Sequence, residues 1–254
     1  MDKLHFIVCA IILGPRIIFA RLTWLGRYAR HPENTPIEKR YKKVRKLIIK
    51  IVKTLRLDIK VNHLDYLLRH EEAFLGISNH RNFFDPLIYI YLSEKPISFV
   101  AKKEAFKTPL LCSVLRAIDV FPIDRSDLMS QVRLFREVAL RIKECGVSYY
   151  VFAEGTRMKN IQQIHTLPYK DGSIKPAYWA ERDIIYSAMY GTNFVSTRKP
   201  KGFKKRNITL EFHEPLKYSD FKDKPTTEIM PLIEKQTNET LIRLVEENSS
   251  RNLK

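Results

Sequence analysis

The sequence predicts one α/β domain, on three observations. Short runs rich in Val, Ile, Tyr and Phe alternate with helical stretches, and neither a repeat, a Gly/Ser linker nor a low-complexity tract interrupts them. Hydrophobic residues make up 44% of 254 positions, enough for one sizeable core and too many for a disordered chain. Strands are expected at Ile59 to Val61, Phe74 to Ser78, Ile97 to Ala101, Val120 to Ile123, Val147 to Phe152, Ile184 to Met189 and Ile208 to Phe212.

At the N-terminus, Leu4 to Ala20 is mostly apolar but contains His5 and is broken by Pro15 and Arg16. The run is short of the roughly 20 residues that cross a bilayer. It lacks a small-residue cleavage site, because Arg21, Arg27 and Arg30 follow it. We read it as a helix or hairpin lying in a membrane interface; a buried core helix and a true span are the alternatives. Thr35, Pro36 and Glu38 then signal a helix start, with a capping hydroxyl, a proline at the first helical position and a carboxylate three residues after the cap. Beyond them Ile37, Tyr41, Val44, Ile48, Ile51 and Leu55 form one apolar stripe, and nine Lys and Arg residues fill the other faces between Lys39 and Arg56. A basic amphipathic helix of this kind suits either an anionic lipid surface or its own core. The expected organisation is therefore a membrane-associating two-helix segment over 1–56, followed by the α/β domain over 57–254.

Two further helices are expected. The first spans Asp127 to Glu144, with Leu128, Val132, Phe135, Val138 and Ile142 on one face and Gly146 as its stop. The second runs from Thr227 to Glu247 and closes the chain.

The formal net charge of +17 describes a protein that seeks anions: nucleic acid, anionic lipid, phosphorylated metabolites or an acidic carrier protein. Nucleic acid is disfavoured, since the cations crowd onto an amphipathic helix and no recognised RNA or DNA module stands among the elements. Cys9, Cys112 and Cys145 are odd in number, widely spaced and without a Cys/His cluster, which predicts a reduced compartment and no structural metal.

Three strand ends carry polar residues suited to chemistry. After Ile77-Ser78 comes Asn79-His80-Arg81-Asn82-Phe83-Phe84-Asp85-Pro86. In a regular helix His80 and Asp85 would diverge, but a turn can join them. A carboxylate on one imidazole nitrogen fixes the tautomer and makes the other nitrogen a base for a hydroxyl. The pair alone is a weak signal. Val151-Phe152-Ala153 leads into Glu154-Gly155-Thr156-Arg157, where glycine permits close approach to a ligand and arginine offers a planar fork for phosphate or carboxylate. Val120-Phe121-Pro122-Ile123-Asp124-Arg125 delivers a second arginine. Either arginine taken singly reads first as a surface ion pair.

Together, these blocks resemble the glycerolipid acyltransferase family, which includes the 1-acylglycerol-3-phosphate (lysophosphatidic acid) acyltransferases. His80 with Asp85 matches the family's His-x-x-x-x-Asp block, Phe121 to Arg125 its second block, and Glu154 to Arg157 its third. The order and spacing agree as well. The likeness extends from Thr35 through Ile208, taking in Ala101-Lys102-Lys103-Glu104 and Pro168-Tyr169-Lys170 with Gly172.

The resemblance implies a mixed central sheet flanked by helices, and acyl transfer from a thioester of acyl carrier protein or coenzyme A to the sn-2 hydroxyl of lysophosphatidic acid, giving phosphatidic acid. His80 would be the base and Asp85 its orienter; Arg125, Arg157 and Lys103 (or Lys102) would hold the phosphate, with Glu154, Gly155 and Thr156 shaping that pocket. No cofactor or metal is implied, and the thioester donor removes the need for an enzyme nucleophile. The enzyme would sit, peripheral or monotopic, on the cytoplasmic face of the cell membrane. Another lysophospholipid acceptor or a non-catalytic membrane-binding relative are the alternatives. The chain departs from the family pattern at Asp119, usually glycine, at Ala153, often proline, and in a fourth block, Ile184 to Met189, that lacks its proline.

Overall fold

The computed structural model describes residues 13–158, 160, 163–197 and 206–252. The seven expected strands are all present with ends within two residues of expectation: β1 Leu57–Asn62, β2 Leu75–Ser78, β3 Ile97–Lys102, β4 Phe121–Ile123, β5 Ser148–Phe152, β6 Ile184–Tyr190 and β7 Arg206–Phe212. They form one sheet in the order β1-β7-β6-β2-β5-β3-β4. Neighbours are parallel except β6 and β7, so the sheet is mixed, as the family likeness implied.

The helices, in chain order, are α1 over 13–30, α2 Ile37–Thr54, α3 Asp85–Leu92, α4 Pro109–Ala117, α5 Leu128–Cys145, α6 Lys175–Ala180 and α7 Thr226–Asn252, with single turns elsewhere. Within α1, Arg21–Leu25 is wound as π-helix. α5 starts and stops where its sequence said it would. The Asp127 carboxylate caps it by accepting from the Ser130 amide, and Gly146 ends it in the left-handed region at φ 64°.

Strands buried on both faces read as continuous apolar runs, and β2 is buried at all four positions. One core layer joins Ile88, Phe99, Tyr150 and Ile185 to the helices α1 to α4. The other joins Leu75, Tyr149 and Val151 to Val138 and Ile142 of α5 and Ile233 of α7. Adjacent Tyr149 and Tyr150 thus serve opposite faces, as the pleat requires.

Two expectations for the front end need correction. The α2 stripe does not face lipid: Tyr41, Val44, Leu47, Ile48 and Val52 are buried in the same core as the sheet. Burying each contributes roughly 1.5–3 kcal/mol, so the division drawn at residue 56 cuts through a continuous core. Nor does Thr35 cap α2. Pro36 is the N-cap and no side chain caps it; the Pro36 carbonyl accepts from the amides of Lys39 and Arg40, and the Thr35 carbonyl accepts from Arg40 Nε at 2.9 Å. The apolar run from Leu4 lies outside the described residues up to Ile12. In its described part, α1 buries Ala20, Leu25 and Tyr28 and exposes Ile18, Phe19 and Leu22 by 60%, 67% and 78%. Among the described residues no helix is long and apolar enough to cross a membrane.

Candidate active site

The sheet order brings the three polar blocks together. β2, β5, β3 and β4 are consecutive and parallel, so the loops leaving their C-terminal ends share one edge of the sheet.

Asn79 sets the first loop. Where the β2 ladder stops, its buried side-chain amide donates to the Met189 carbonyl at 2.9 Å and its oxygen accepts from the Met189 amide at 2.8 Å. The chain then turns so that Asp85, the first residue of α3, points back into the loop. Its Oδ2 accepts from His80 Nδ1 at 2.8 Å and from the amides of Arg81 and Asn82 at 2.7 and 2.8 Å. Asp85 is fully buried, and its other oxygen has no hydrogen-bond partner among the described residues. An acceptor carboxylate on Nδ1 requires that nitrogen to carry the proton, which leaves the Nε2 lone pair free. The imidazole lies flat on Phe152, centroids 4.2 Å apart at 18°, so its orientation is fixed by bonding on one side and stacking on another.

Glu154 plays a different part from the one expected. Burial pushes its carboxyl up from the usual range, and both oxygens are used by backbone: Oε1 accepts from the His80 amide at 2.7 Å and Oε2 from the Leu167 amide at 3.0 Å. Only 3% exposed, it braces the dyad loop against the segment at Leu167. It is not among the residues that line the cavity, and each of its side-chain oxygens is engaged by a backbone amide. Arg81 ties the same two segments, donating to the carbonyls of Gln163 and Ile164. Sequence reasoning missed Arg81 and Phe152, because nothing in a residue type says that an arginine in a polar string will be buried.

His80 opens onto a cavity of about 810 Å³ whose apolar lining includes Leu87, Ile90, Phe99, Leu115 and Ile118. Gly155, Thr156, Arg157 and Arg125 also line it. Lys103 does not; its ammonium bonds Asp124 and, with Ser126, holds that carboxyl far below the usual range. Instead Lys102, Lys170 and Lys175 join the two arginines on the wall, and Glu104 is the one carboxylate lining the cavity among the described residues. Burial lowers the Arg125 pKa, and the nearby Glu104 opposes this. The arrangement combines an oriented imidazole base, an apolar chamber and an excess of cations. The nearby hydroxyls of Ser78 and Ser187 are buried and bonded to the Tyr89 hydroxyl, so neither is placed as a nucleophile.

Comparison with known proteins gives a consistent picture. A family model described as Acyltransferase matches residues 58–190, which include all three blocks. A 1-acyl-sn-glycerol-3-phosphate acyltransferase of Cocos nucifera is 26% identical over 157 residues, 62% of this chain and 50% of that one. One from Bacillus subtilis is 25% identical over 202 residues, 77% of this chain and 92% of that one. The chain spans about half the length of several curated relatives that it matches. The crystal structure of the 1-acyl-sn-glycerophosphate (LPA) acyltransferase PlsC from Thermotoga maritima superposes with a TM-score of 0.72 at 22% identity, covering 96% of this chain and 98% of that one, which shows the shared fold.

Proposed function

The chain belongs to the acyltransferase family, and from that premise we propose that it transfers a fatty acyl group from an acyl thioester to the sn-2 hydroxyl of 1-acyl-sn-glycerol-3-phosphate, giving phosphatidic acid. The observation that carries this reading is the 2.8 Å bond between His80 Nδ1 and Asp85, with His80 lining a largely apolar cavity that cations also line.

In this scheme His80 Nε2 takes the hydroxyl proton as the acceptor oxygen attacks the thioester carbonyl. Asp85 stabilises the imidazolium that forms. The tetrahedral adduct collapses, the C–S bond breaks, and the thiolate leaves with the proton returned by His80. The acyl chain occupies the cavity, while Arg125 and Arg157 attract the phosphate of the acceptor. Acyl carrier protein and coenzyme A both suit the cationic surface as carriers of the donor. Attachment to an anionic membrane surface, peripheral or monotopic, is supported by exposed Ile18, Phe19 and Leu22 beside Arg16 and Arg21 on α1.

The test is acyl transfer by the purified chain in mixed micelles, with lysophosphatidic acid beside a panel of other lysophospholipids. Phosphatidic acid should form, and His80→Ala should lose about 10²–10⁴ in kcat while its melting temperature holds. Consumption of no thioester with any acceptor would sink the reading.

A further inference from the structure

Lys170 stands 15 positions beyond Gly155, yet the two are in contact. A methyl group added to Gly155 would lie 3.0 Å from Cε and 3.1 Å from Nζ of Lys170. Gly155 sits at φ 67°, in the left-handed region, where glycine carries no steric cost. Its missing side chain leaves a groove, and the lysine stem fills it.

The backbone holds that stem in place. The Lys170 amide donates to the Ala153 carbonyl at 3.0 Å, the Lys170 carbonyl accepts from the Ser173 amide at 2.8 Å, and the neighbouring Tyr169 amide donates to Glu234 at 2.9 Å. Lys170 and Arg157 both line the cavity, and neither makes an ion pair among the described residues. The lysine expected to serve the site, Lys103, is spent on Asp124.

We infer that Lys170, cradled by Gly155, is a direct ligand of the acceptor's phosphate together with Arg157. The inference rests on the acyl-transfer reading above and adds the recognition of its acceptor. In 1-acyl-sn-glycerol-3-phosphate the attacking oxygen and the phosphate are borne on adjacent carbons, so a cation that holds the phosphate must stand close to the base. Glu154 links the two places: it accepts from the His80 amide and is followed in sequence by Gly155, over which Lys170 lies. In coenzyme A the nearest phosphate is a full pantetheine arm away from the reacting carbonyl. Lys170 is therefore badly placed for the donor and well placed for the acceptor.

The test uses the full chain with two donors, an acyl-coenzyme A and the acyl thioester of N-acetylcysteamine, which carries no phosphate. Lys170→Met should raise KM for lysophosphatidic acid about ten- to hundred-fold with either donor, as expected for loss of a charge-assisted bond, with kcat and donor KM little changed. Lys170→Arg should restore most of the affinity. Inhibition by glycerol 3-phosphate should weaken in parallel. A KM rise confined to the acyl-coenzyme A arm would assign Lys170 to the donor and overturn the inference. So would an unchanged KM, or an equal loss of kcat and thermal stability that Lys170→Arg does not repair. Should the wild-type chain transfer no acyl group, the function reading fails by itself; calorimetric binding of glycerol 3-phosphate, compared between wild type and Lys170→Met, still decides the role of Lys170.

Discussion

The Glu154 carboxylate holds the backbone of His80: the His80 amide donates to it at 2.7 Å, and the Leu167 amide donates to its second oxygen at 3.0 Å. A glutamine there keeps the shape but sets an N–H against the N–H of one partner. Glu154→Gln should therefore destabilise the fold by about 1–3 kcal/mol, the cost of a buried unsatisfied donor, and lower kcat more than it raises KM for the acceptor. Thermal melts beside steady-state kinetics check this. A variant with normal kcat and an acceptor KM raised many-fold would return Glu154 to the role of substrate ligand.

Asp85 receives three donors on one oxygen, from His80 Nδ1 and the amides of Arg81 and Asn82. Because all three converge, the carbonyl oxygen of Asp85→Asn should take the same place and preserve the imidazole tautomer. Only the charge that steadies the imidazolium is lost. The expected result is a fall in kcat of about 10²–10³ with KM nearly unchanged, less severe than His80→Ala. Equal losses in the two variants would mean that the tautomer had changed.

These residues also mark how far a sequence can be read. The strands and α5 were legible because their periodicity and capping are local, and three polar blocks at strand ends marked where chemistry could sit. What stayed hidden depended on direction. An apolar stripe such as Tyr41, Val44 and Ile48 has the same spacing whether lipid or a sheet covers it. Lys103 and Lys170 are both lysines near a block; one turns to Asp124 and the other crosses Gly155 because of loop bonds no spacing encodes. Glu154 reads as a ligand contact until its burial is known.

The exposed face of α1 gives a prediction about attachment. Phe19→Asp with Leu22→Asp replaces two large side chains, 67% and 78% exposed, that contribute little to the core. Each is worth roughly 1.5–3 kcal/mol on transfer from water, so binding to anionic vesicles should weaken more than tenfold. Turnover of an acceptor in detergent micelles should be largely retained. Undiminished flotation with vesicles would move the attachment elsewhere.

Acid should destabilise the protein through His213. Burial depresses its pKa below the ordinary 6.5, and its ring stacks on Tyr186 at 4.7 Å. His70 is lowered in the same way by burial, with Asp183 opposing. Between the depressed pKa and 6.5 the unfolded chain binds more protons than the folded one, so stability is complete above 6.5 and is lost as pH falls below it. The melting temperature should be flat near neutrality and decline below 6.5, and His213→Gln should make that decline shallower. A decline as steep in the variant as in wild type would assign it to other groups.

Asp119 occupies a position where the family usually has glycine, and the backbone explains both residues: φ is 57°, in the left-handed region. A non-glycine residue there costs roughly 1–2 kcal/mol. Asp119 offsets that cost by holding Arg40 of α2, whose guanidinium donates to its two oxygens at 2.8 and 3.1 Å and to the Ala117 carbonyl at 2.6 Å. The pair is nearly buried, with side chains 5% and 14% exposed. Removing one partner of such a pair typically costs about 3–5 kcal/mol, because a charge is stranded. Asp119→Gly relieves the strain but strands Arg40, so a net destabilisation of about 1–4 kcal/mol is expected by denaturant melts. Adding Arg40→Leu should recover part of it, giving a coupling above roughly 1 kcal/mol in the double-mutant cycle. If Asp119→Gly alone is as stable as wild type, the pair is worth no more than the backbone strain it offsets, and a coupling near zero in the cycle would show that Arg40 does not help hold α2 to the sheet.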